Sequence, residues 1–167
     1  MKSQETEFLE EVNKCQGMIH HVCNIYTDEK ELRKDLYQEI LYQLWKSFPN
    51  FQKKSKFSTW LYRVALNTAI TFYGKQTKRQ KIEHAGKEIP DRREERNDNS
   101  DQQMEALYRS VGQLGKVDKA LILLYLEDKK YEEMAEIMGM TVSNVGVRLN
   151  RAKRKLESIM KNETQDI

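Results

Sequence analysis

Apolar residues recur every three or four positions over most of this chain, which is the spacing of amphipathic helices. One such run covers 5–26 and predicts a single helix. A second run covers 28–48, where Asp28 is the expected N-cap and Pro49-Asn50 is expected to end the helix. The pattern therefore predicts two neighbouring helices that each bury one face in a common core.

A third helix is expected to begin at Trp60, after an N-cap formed by Ser58 or Thr59, and to end in a basic tail. The chain then changes character. Between 83 and 105 it carries eight acids, four bases and almost no apolar residues, so this stretch cannot bury a core. We interpret 83–103 as a flexible acidic linker, because it is much longer than the usual connection of about 4–6 residues.

The C-terminal part of the chain has the pattern of a helix-turn-helix. Helices are expected over 104–114 and 118–126, with a break at Gly115. They lead into 131–156, where a turn at Gly139 separates two further helices. This organisation is typical of a small helical DNA-binding domain.

The last of these helices has two different sides, one apolar and the other polar and basic. Its apolar stripe consists of Val145, Leu149, Ala152 and Leu156, and its polar stripe of Asn144, Arg148, Arg151 and Lys155. A helix that buries one side and offers amide and guanidinium groups on the other is suited to the major groove of duplex DNA. The pattern therefore indicates a recognition helix, which Thr141 is expected to cap.

Composition favours an all-α protein of two small helical domains. The 167 residues include only 7 Gly and 2 Pro, and 33% of them are charged. We divide the chain into an N-terminal domain over 1–82, the flexible linker over 83–103 and a C-terminal domain over 104–167. The formal net charge of +3 argues only weakly for a nucleic-acid partner, so the local distribution of charge carries more weight.

The cellular location can be inferred from the cysteines and the apolar runs. Cys15 and Cys23 are the only cysteines, and the N-terminal segment lacks the apolar core of an export signal. The longest apolar run, 120–126, is far shorter than the about 20 residues that cross a membrane. We therefore expect a cytoplasmic protein with reduced thiols and no membrane insertion.

The sequence contains no recognisable catalytic constellation. It shows no nucleophile–base pair, no phosphate-cradling glycine loop and no cluster of metal ligands, so we expect neither an enzyme nor a cofactor. His20, His21 and Cys23 lie close together, but their helical segment offers no fourth ligand. We therefore expect no metal site.

Two stretches of the chain resemble one protein family. D-L-Y-Q-E over 35–39 and F-S-T-W-L-Y-R-V-A-L-N over 57–67 resemble region 2 of the extracytoplasmic-function (ECF) group of bacterial sigma factors. The segment from Leu121 to Leu156, which includes the helix-turn-helix, resembles region 4 of the same group. The two stretches occur in the right order with a polar linker between them and cover nearly the whole chain.

This resemblance implies a role in transcription initiation. ECF sigma factors bind core RNA polymerase and direct it to promoters. Their region 4 reads the −35 element as duplex DNA, whereas region 2 contacts the polymerase clamp and captures the melted −10 element. The implied partners are core RNA polymerase, promoter DNA and an anti-sigma factor. A helix-turn-helix regulator that acts without polymerase is the alternative, but such a protein would have no use for the region 2-like segment.

The matching positions, together with their chemistry, assign residues to three surfaces. The expected −35 surface comprises Thr141, Ser143, Asn144, Arg148, Arg151, Lys153, Arg154 and Lys155. The expected −10 surface comprises Lys53, Lys54, Ser55, Lys56, Trp60, Arg63, Asn67, Thr71, Lys75, Lys78 and Arg79. The expected polymerase surface comprises Asp35, Gln38, Glu39, Leu41 and Trp45.

Two further expectations concern one residue and the linker. Gly146 stands where many ECF members carry Lys or Arg, so we expect a side chain aimed at DNA to be missing there. A glycine inside a helix also costs roughly 0.8–1 kcal/mol relative to alanine. The linker is expected to leave the two domains at a variable separation, so that promoter binding improves when polymerase sets the spacing.

Overall fold

The computed structural model describes residues 2–83 and 99–165, and the side chains of 2–75 and 102–162. The described residues are helical throughout apart from short connections, which confirms the all-α fold class. In chain order the helices are α1 (Gln4–Lys14), α2 (Gln16–Tyr26), α3 (Lys30–Ser47), a short 3-10 helix (Phe48–Asn50), α4 (Phe57–Glu83), α5 (Asn99–Gly112), α6 (Lys116–Leu126), α7 (Tyr131–Met138) and α8 (Val142–Gln165).

Helices α2, α3 and α4 form the core of the N-terminal half. Their buried faces repeat at helical spacing, as the apolar pattern predicts. The core residues include Ile19, Val22, Ile25, Leu36, Ile40, Leu44, Leu61, Ala65 and Ala69. Because α3 and α4 bury only one face each, their opposite faces are free to carry the expected polymerase and DNA surfaces.

The expected single helix over 5–26 is wrong, because the chain breaks at Cys15. Its amide donates to the carbonyl of Val12 at 2.9 Å, a tight turn that ends α1 before α2 begins. The turn redirects α1 toward the end of α3. There the ring of Phe8 lies 5.0 Å from that of Trp45 and 5.2 Å from that of Phe48. The contacts that Phe8 makes with Trp45 and Phe48 therefore decide the path of the chain, although the apolar periodicity continues past Cys15.

The second helix also begins differently from the expectation. Glu29 is the N-cap of α3 and makes no side-chain cap hydrogen bond, so the assignment of Asp28 is wrong. Thr27 supplies a local substitute, since its hydroxyl accepts from the amide of Glu29 at 3.2 Å. The expected end of this helix at Pro49 is confirmed, because α3 stops at Ser47 and the 3-10 helix follows.

Helix α4 begins at Phe57 and not at Trp60, so neither Ser58 nor Thr59 is its cap. Phe57 joins what we call the aromatic cluster, whose four members are Phe48, Phe51, Phe57 and Trp60. The ring of Trp60 lies 4.9 Å from that of Phe51 and 5.4 Å from that of Phe57. Burial of these rings places Phe57 in the first turn and moves Thr59 to a buried position.

The helices of the C-terminal half match the expectation more closely. Gly115 is extended and separates α5 from α6, as predicted. Helix α5, however, begins at Asn99, so the last five residues of the expected linker over 83–103 are helical, while 84–98 lie outside the described residues. The polar composition of 99–103 allows this extension, because Asn, Ser, Asp and Gln are all tolerated near a helix start.

The helix-turn-helix forms as predicted. Gly139 ends α7 in the left-handed conformation, with φ at 67°, and its amide donates to the carbonyl of Ala135. Thr141 caps α8, since its hydroxyl accepts from the amide of Asn144 at 3.1 Å. The predicted apolar stripe of α8 faces inward, with Val145 and Leu149 fully buried.

The two halves pack directly against each other, which differs from the expected variable separation. The contact, here called the junction, joins α2 and α4 to α5, α6 and α7. Tyr26 donates to the carbonyl oxygen of Lys116 at 2.6 Å, and Nδ1 of His21 lies 3.1 Å from the hydroxyl of Tyr108. These hydrogen bonds are supported by apolar side chains that form one cluster through both halves. Burial of this surface holds the halves together.

Lys119 lies at the centre of the junction and is only 2% exposed. Its amine lies 4.2 Å from the ring centre of Tyr73 and 5.5 Å from that of Tyr26, so two aromatic faces replace part of its hydration. Burial lowers the pKa of Lys119, and the charge of Asp28 opposes this shift. The aromatic faces that α2 and α4 present to α6, together with the charge of Asp28, therefore compensate for the burial of this amine.

Two junction tyrosines should respond oppositely to loss of the hydroxyl. The hydroxyl of Tyr62 is buried without a hydrogen-bond partner in the described part of the chain, whereas that of Tyr26 is bonded to Lys116. We expect Tyr62→Phe to raise the free energy of unfolding by about 1 kcal/mol and Tyr26→Phe to lower it by a similar amount. Urea unfolding measures both, and shifts in the same direction would contradict the assignment.

The same tyrosines predict a loss of stability in alkali. Burial raises the pKa of Tyr26 and of Tyr62 above the ordinary value of 10.0. As the pH rises, the unfolded chain therefore releases these protons before the folded chain does. The contribution of the two protonated tyrosines to the free energy of unfolding is complete below about pH 10 and is lost as the pH rises beyond it. In urea titrations, Tyr62→Phe should lose less stability above pH 10 than the wild type.

The thiols and the apolar helices agree with the sequence. Both cysteines are free, and burial raises the pKa of the Cys23 thiol to about 12, which keeps it protonated. Within residues 2–83 and 99–165, none of the helices combines the length and the apolar character that a membrane crossing requires. The ring of His20 stacks on that of Tyr37, with 4.7 Å between the ring centres.

Candidate nucleic-acid interface

Helix α8 presents a basic face to solvent. Between 142 and 156 it carries five bases and no acid, so the local charge is far more positive than that of the whole chain. Six residues of the expected −35 surface are exposed, namely Thr141, Ser143, Asn144, Arg151, Arg154 and Lys155. They line the side of α8 that lies away from α6 and α7. This face has the chemistry and the shape for a major groove.

Two other residues of the expected −35 surface are engaged within the protein. Arg148 is half-buried, and its guanidinium lies 3.9 Å from the carboxylate of Asp118 on α6. Lys153 is also half-buried, and its amine lies 3.8 Å above the ring centre of Tyr125. Their side chains must leave these partners before they can reach DNA. The sequence could not reveal this, because both partners lie on another helix.

Gly146 faces the protein and not the outward side of α8. A Cβ atom at this position would lie 3.5 Å from Cε2 and 3.9 Å from Cδ2 of the Tyr131 ring, which are ordinary van der Waals distances. This contact places only the Cβ atom, so the expectation that Gly146 lacks a side chain aimed at DNA stays a prediction. The absent side chain would first meet Tyr131 at the start of α7.

Gly146→Ala should stabilise the protein, because the new methyl fits beside Tyr131 and the helix gains about 0.8–1 kcal/mol. Gly139→Ala is the matched control: it makes the same chemical change at a φ of 67°, so it should destabilise. Thermal or urea unfolding of the two variants measures the difference. An equal loss of stability in both would contradict the packing described for Gly146.

Helix α4 carries an exposed polar row along one face. Arg63, Asn67, Thr71 and Lys75 follow one another at intervals of four residues, and all four are exposed. The structure thus brings together four residues of the expected −10 surface. The side chains of Lys78 and Arg79 lie outside the described residues.

The loop before α4 brings further basic residues to the start of this row. Lys53, Lys54 and Lys56 are exposed, whereas Ser55 is half-buried. Lys53 has a positive φ of 56°, and its amine lies 3.4 Å from a carboxylate oxygen of Glu7 on α1. Trp60 is half-buried in the aromatic cluster, so its first role is to hold this loop against α4.

The expected polymerase surface lies on the outer face of α3. Asp35, Gln38 and Trp45 are exposed, while Glu39 and Leu41 are half-buried. Glu39 accepts a hydrogen bond from the side-chain amide of Gln43 at 3.1 Å. Among the described residues α3 packs chiefly against α2, α4 and the 3-10 helix, so a large partner could reach its outer face while the two halves stay packed.

Sequence reasoning missed three exposed apolar residues on α3 and α8. Tyr42 is exposed in the middle of the α3 face, and Val142 and Val147 are exposed on α8. A helical projection shows that Val147 lies opposite the buried stripe of α8, a signal that is present in the sequence.

Comparisons with known families agree with the two-part organisation. Residues 12–79 match the family Sigma-70 region 2, and residues 104–156 match the family Sigma-70, region 4. The RNA polymerase sigma factor YlaC of Bacillus subtilis is 30% identical over 142 residues, with 80% of each chain covered. The ECF RNA polymerase sigma-E factor of Haemophilus influenzae is 27% identical over 159 residues, covering 88% of this chain and 84% of the relative.

Solved structures with the same fold include a sigma factor and CnrH. The sigma factor RpoE, solved in complex with the anti-sigma factor NepR from Bartonella quintana, superposes with a TM-score of 0.74 at 20% identity and covers 93% of this chain and 97% of its own. CnrH, solved in complex with the cytosolic domain of CnrY, superposes with a TM-score of 0.68 at 18% identity, covering 96% and 90%. At these identities the likeness establishes the fold.

The chain belongs to the ECF group of RNA polymerase sigma factors, with region 2 in its N-terminal half and region 4 in its C-terminal half. It directs RNA polymerase to promoters and is not itself an enzyme. The helix-turn-helix is therefore the DNA-binding part of an initiation factor, and the alternative of a regulator that acts without polymerase is set aside.

Proposed function

We propose that the two halves contact different parts of one promoter. The exposed face of α8 enters the major groove of the −35 duplex, and the polar row of α4, with the loop before it, binds the melted −10 strand. The outer face of α3 binds the clamp of core polymerase. In this proposal the N-terminal domain covers 1–82 and the C-terminal domain covers 104–167. The acidic linker over 83–103 connects them.

The observation that carries this proposal is that three different helices, α3, α4 and α8, each carry an exposed face. Arg63, Asn67, Thr71 and Lys75 form a row of bases, an amide and a hydroxyl, the groups that single-stranded DNA requires for its backbone and base edges. The α8 face offers Ser143 and Asn144 near the start of the helix, where base edges come closest in helix-turn-helix docking. Arg151, Arg154 and Lys155 follow it and are suited to phosphates.

The face on α3 differs in character from both DNA faces. It combines the carboxylates of Asp35 and Glu39 with the apolar surfaces of Leu41 and Trp45. Carboxylates repel DNA, whereas a mixed acidic and aromatic face is suited to a basic protein surface. This contrast supports assignment of α3 to polymerase.

A further partner and a location belong to the same proposal. RpoE and CnrH were each solved with a second protein, and the partner of RpoE is an anti-sigma factor. We infer that an anti-sigma factor also binds this chain and that the complex forms in the cytoplasm, where core polymerase is found. Co-purification of the tagged chain from soluble cell extract, followed by identification of the bound proteins, tests both statements.

Run-off transcription tests the central proposal. Sigma-free core polymerase is mixed with the purified full chain and a genomic DNA library, and the transcript starts are sequenced. The expected result is a set of new start sites that share a −35 and a −10 motif. Start sites identical to those of core polymerase alone would refute the proposal.

Asn67→Ala should impair opening of the promoter without weakening polymerase binding. Asn67 is exposed at the centre of the α4 row, so removal of its amide takes away a base contact and leaves the fold intact. A contact of this kind is worth about 1–3 kcal/mol, or roughly a tenfold to hundredfold loss of open complex. Permanganate footprinting at the −10 region measures the loss, and Asn13→Ala on α1 serves as an exposed control. Wild-type footprints in Asn67→Ala would remove this residue from the −10 surface.

A further inference from the structure

Val147 is an exposed apolar residue on an otherwise polar face of α8. It is 50% exposed, and its neighbours along the same face are Ser143 one turn before, Asn150 and Arg151 one turn after, and Arg154 two turns after. All of these neighbours are exposed, and all carry groups that bond to base edges or phosphates. Val147 therefore lies in the middle of the polar face that is proposed to enter the −35 duplex.

The position of Val147 limits what it can face in the groove. The buried stripe of α8 points toward α6 and α7 through Val145 and Leu149, and Val147 is on the opposite side. If α8 enters the major groove with this face, the valine methyls are enclosed between the helix and a base pair. A lysine could keep its charged end in water by extending its stem, but a valine has no such reach.

The major groove offers one apolar group, the C5 methyl of thymine. Cytosine carries only a hydrogen at this position, and the remaining groups on the base edges are hydrogen-bond donors and acceptors. A valine pressed against such an edge would remove its water and return no hydrogen bond, which is unfavourable. The same side chain gains apolar contact against a thymine methyl. Attraction to one base and penalty against the others together produce specificity.

We propose that Val147 is a specificity-determining residue that selects a thymine in the −35 element by contact with its C5 methyl group. This inference rests on the proposed entry of α8 into the −35 duplex. Val142 is a natural comparison, because it is 45% exposed but is the first residue of α8 and lies on a different side of the helix from Val147. It should not take part in the contact.

The test replaces single thymines of the −35 element by deoxyuridine, which removes the methyl and leaves every hydrogen-bonding group in place. Holoenzyme is formed from core polymerase and the full chain, and promoters recovered by run-off transcription serve as DNA. Equilibrium competition between the thymine and deoxyuridine duplexes gives the ratio of affinities at each position. The wild type should lose about fourfold at one position, the effect of one methyl withdrawn from an apolar contact.

Two variants decide whether Val147 makes that contact. Val147→Ala should bind the thymine promoter less tightly and show no deoxyuridine penalty at that position, whereas Val142→Ala should retain the full penalty. An equal penalty in Val147→Ala and the wild type, or no sensitive thymine at all, would overturn the inference while leaving promoter binding intact. Holoenzyme that fails to select promoters would instead refute the proposed function, and with it this inference.

Discussion

Lys119→Glu should separate the two halves of the free protein. The substitution places a carboxylate where an amine now lies 4.2 Å from the ring centre of Tyr73, and ring faces attract cations but repel anions. The new charge would also be buried without a partner, which costs about 3 kcal/mol or more. A cost of that size would shift the balance between packed and separated halves by more than a hundredfold. Small-angle X-ray scattering should show a larger radius of gyration than in the wild type.

The control for this prediction keeps the shape of Lys119 and removes only its charge. Methionine is unbranched and of similar length, so Lys119→Met should pack between Tyr26 and Tyr73 and remain as compact as the wild type. Circular dichroism of both variants verifies that the helices persist. A Lys119→Glu variant with full helix content and an unchanged radius of gyration would show that position 119 is not enclosed between the two halves.

Glu39→Lys should weaken binding to core polymerase on the order of tenfold to a hundredfold. Glu39 is half-buried on the outer face of α3, beside the exposed Asp35 and Gln38. If this face meets a basic surface, the substitution exchanges an attraction for a repulsion, and like charges facing each other across an interface cost several kcal/mol. Competition with labelled wild-type chain for core polymerase measures the change.

Glu136→Lys provides the matched charge reversal. Glu136 is exposed in the last turn of α7, where a lysine is compatible with the helix dipole, and it lies outside the proposed polymerase surface. This variant has the same net charge as Glu39→Lys and should compete as well as the wild type. Equal competition by Glu39→Lys would remove Glu39 from the polymerase surface, and equal weakening by both variants would indicate a general charge effect.

The features that the sequence predicted correctly depend on neighbouring residues. The turn at Gly139, the cap formed by Thr141 and the break at Gly115 follow from rules about helix ends, in which each residue acts on the next few. The buried stripe of α8 follows from helical periodicity alone. Assignment of the −10 and polymerase surfaces came from resemblance to a family, because an exposed polar face does not by itself reveal its partner.

Two features that the sequence predicted wrongly, the single helix over 5–26 and the start of α4, depend on residues from other segments of the chain. The break at Cys15 lets Phe8 reach the rings of Trp45 and Phe48, and α4 begins at Phe57 because that ring joins the aromatic cluster. In both cases the deciding contact is with a ring outside the helix concerned, so helical periodicity gives no signal of it.

The amino-acid sequence alone determined that this protein is helical, that its C-terminal part is a helix-turn-helix, and that its two halves match two regions of one family. These properties are encoded in short-range spacing, since a helix needs hydrogen bonds only between residues four apart. Tertiary structure alone decided that the halves are packed together and that Arg148 is paired with Asp118. Those outcomes depend on which surfaces bury each other, and burial is a property of the whole folded chain.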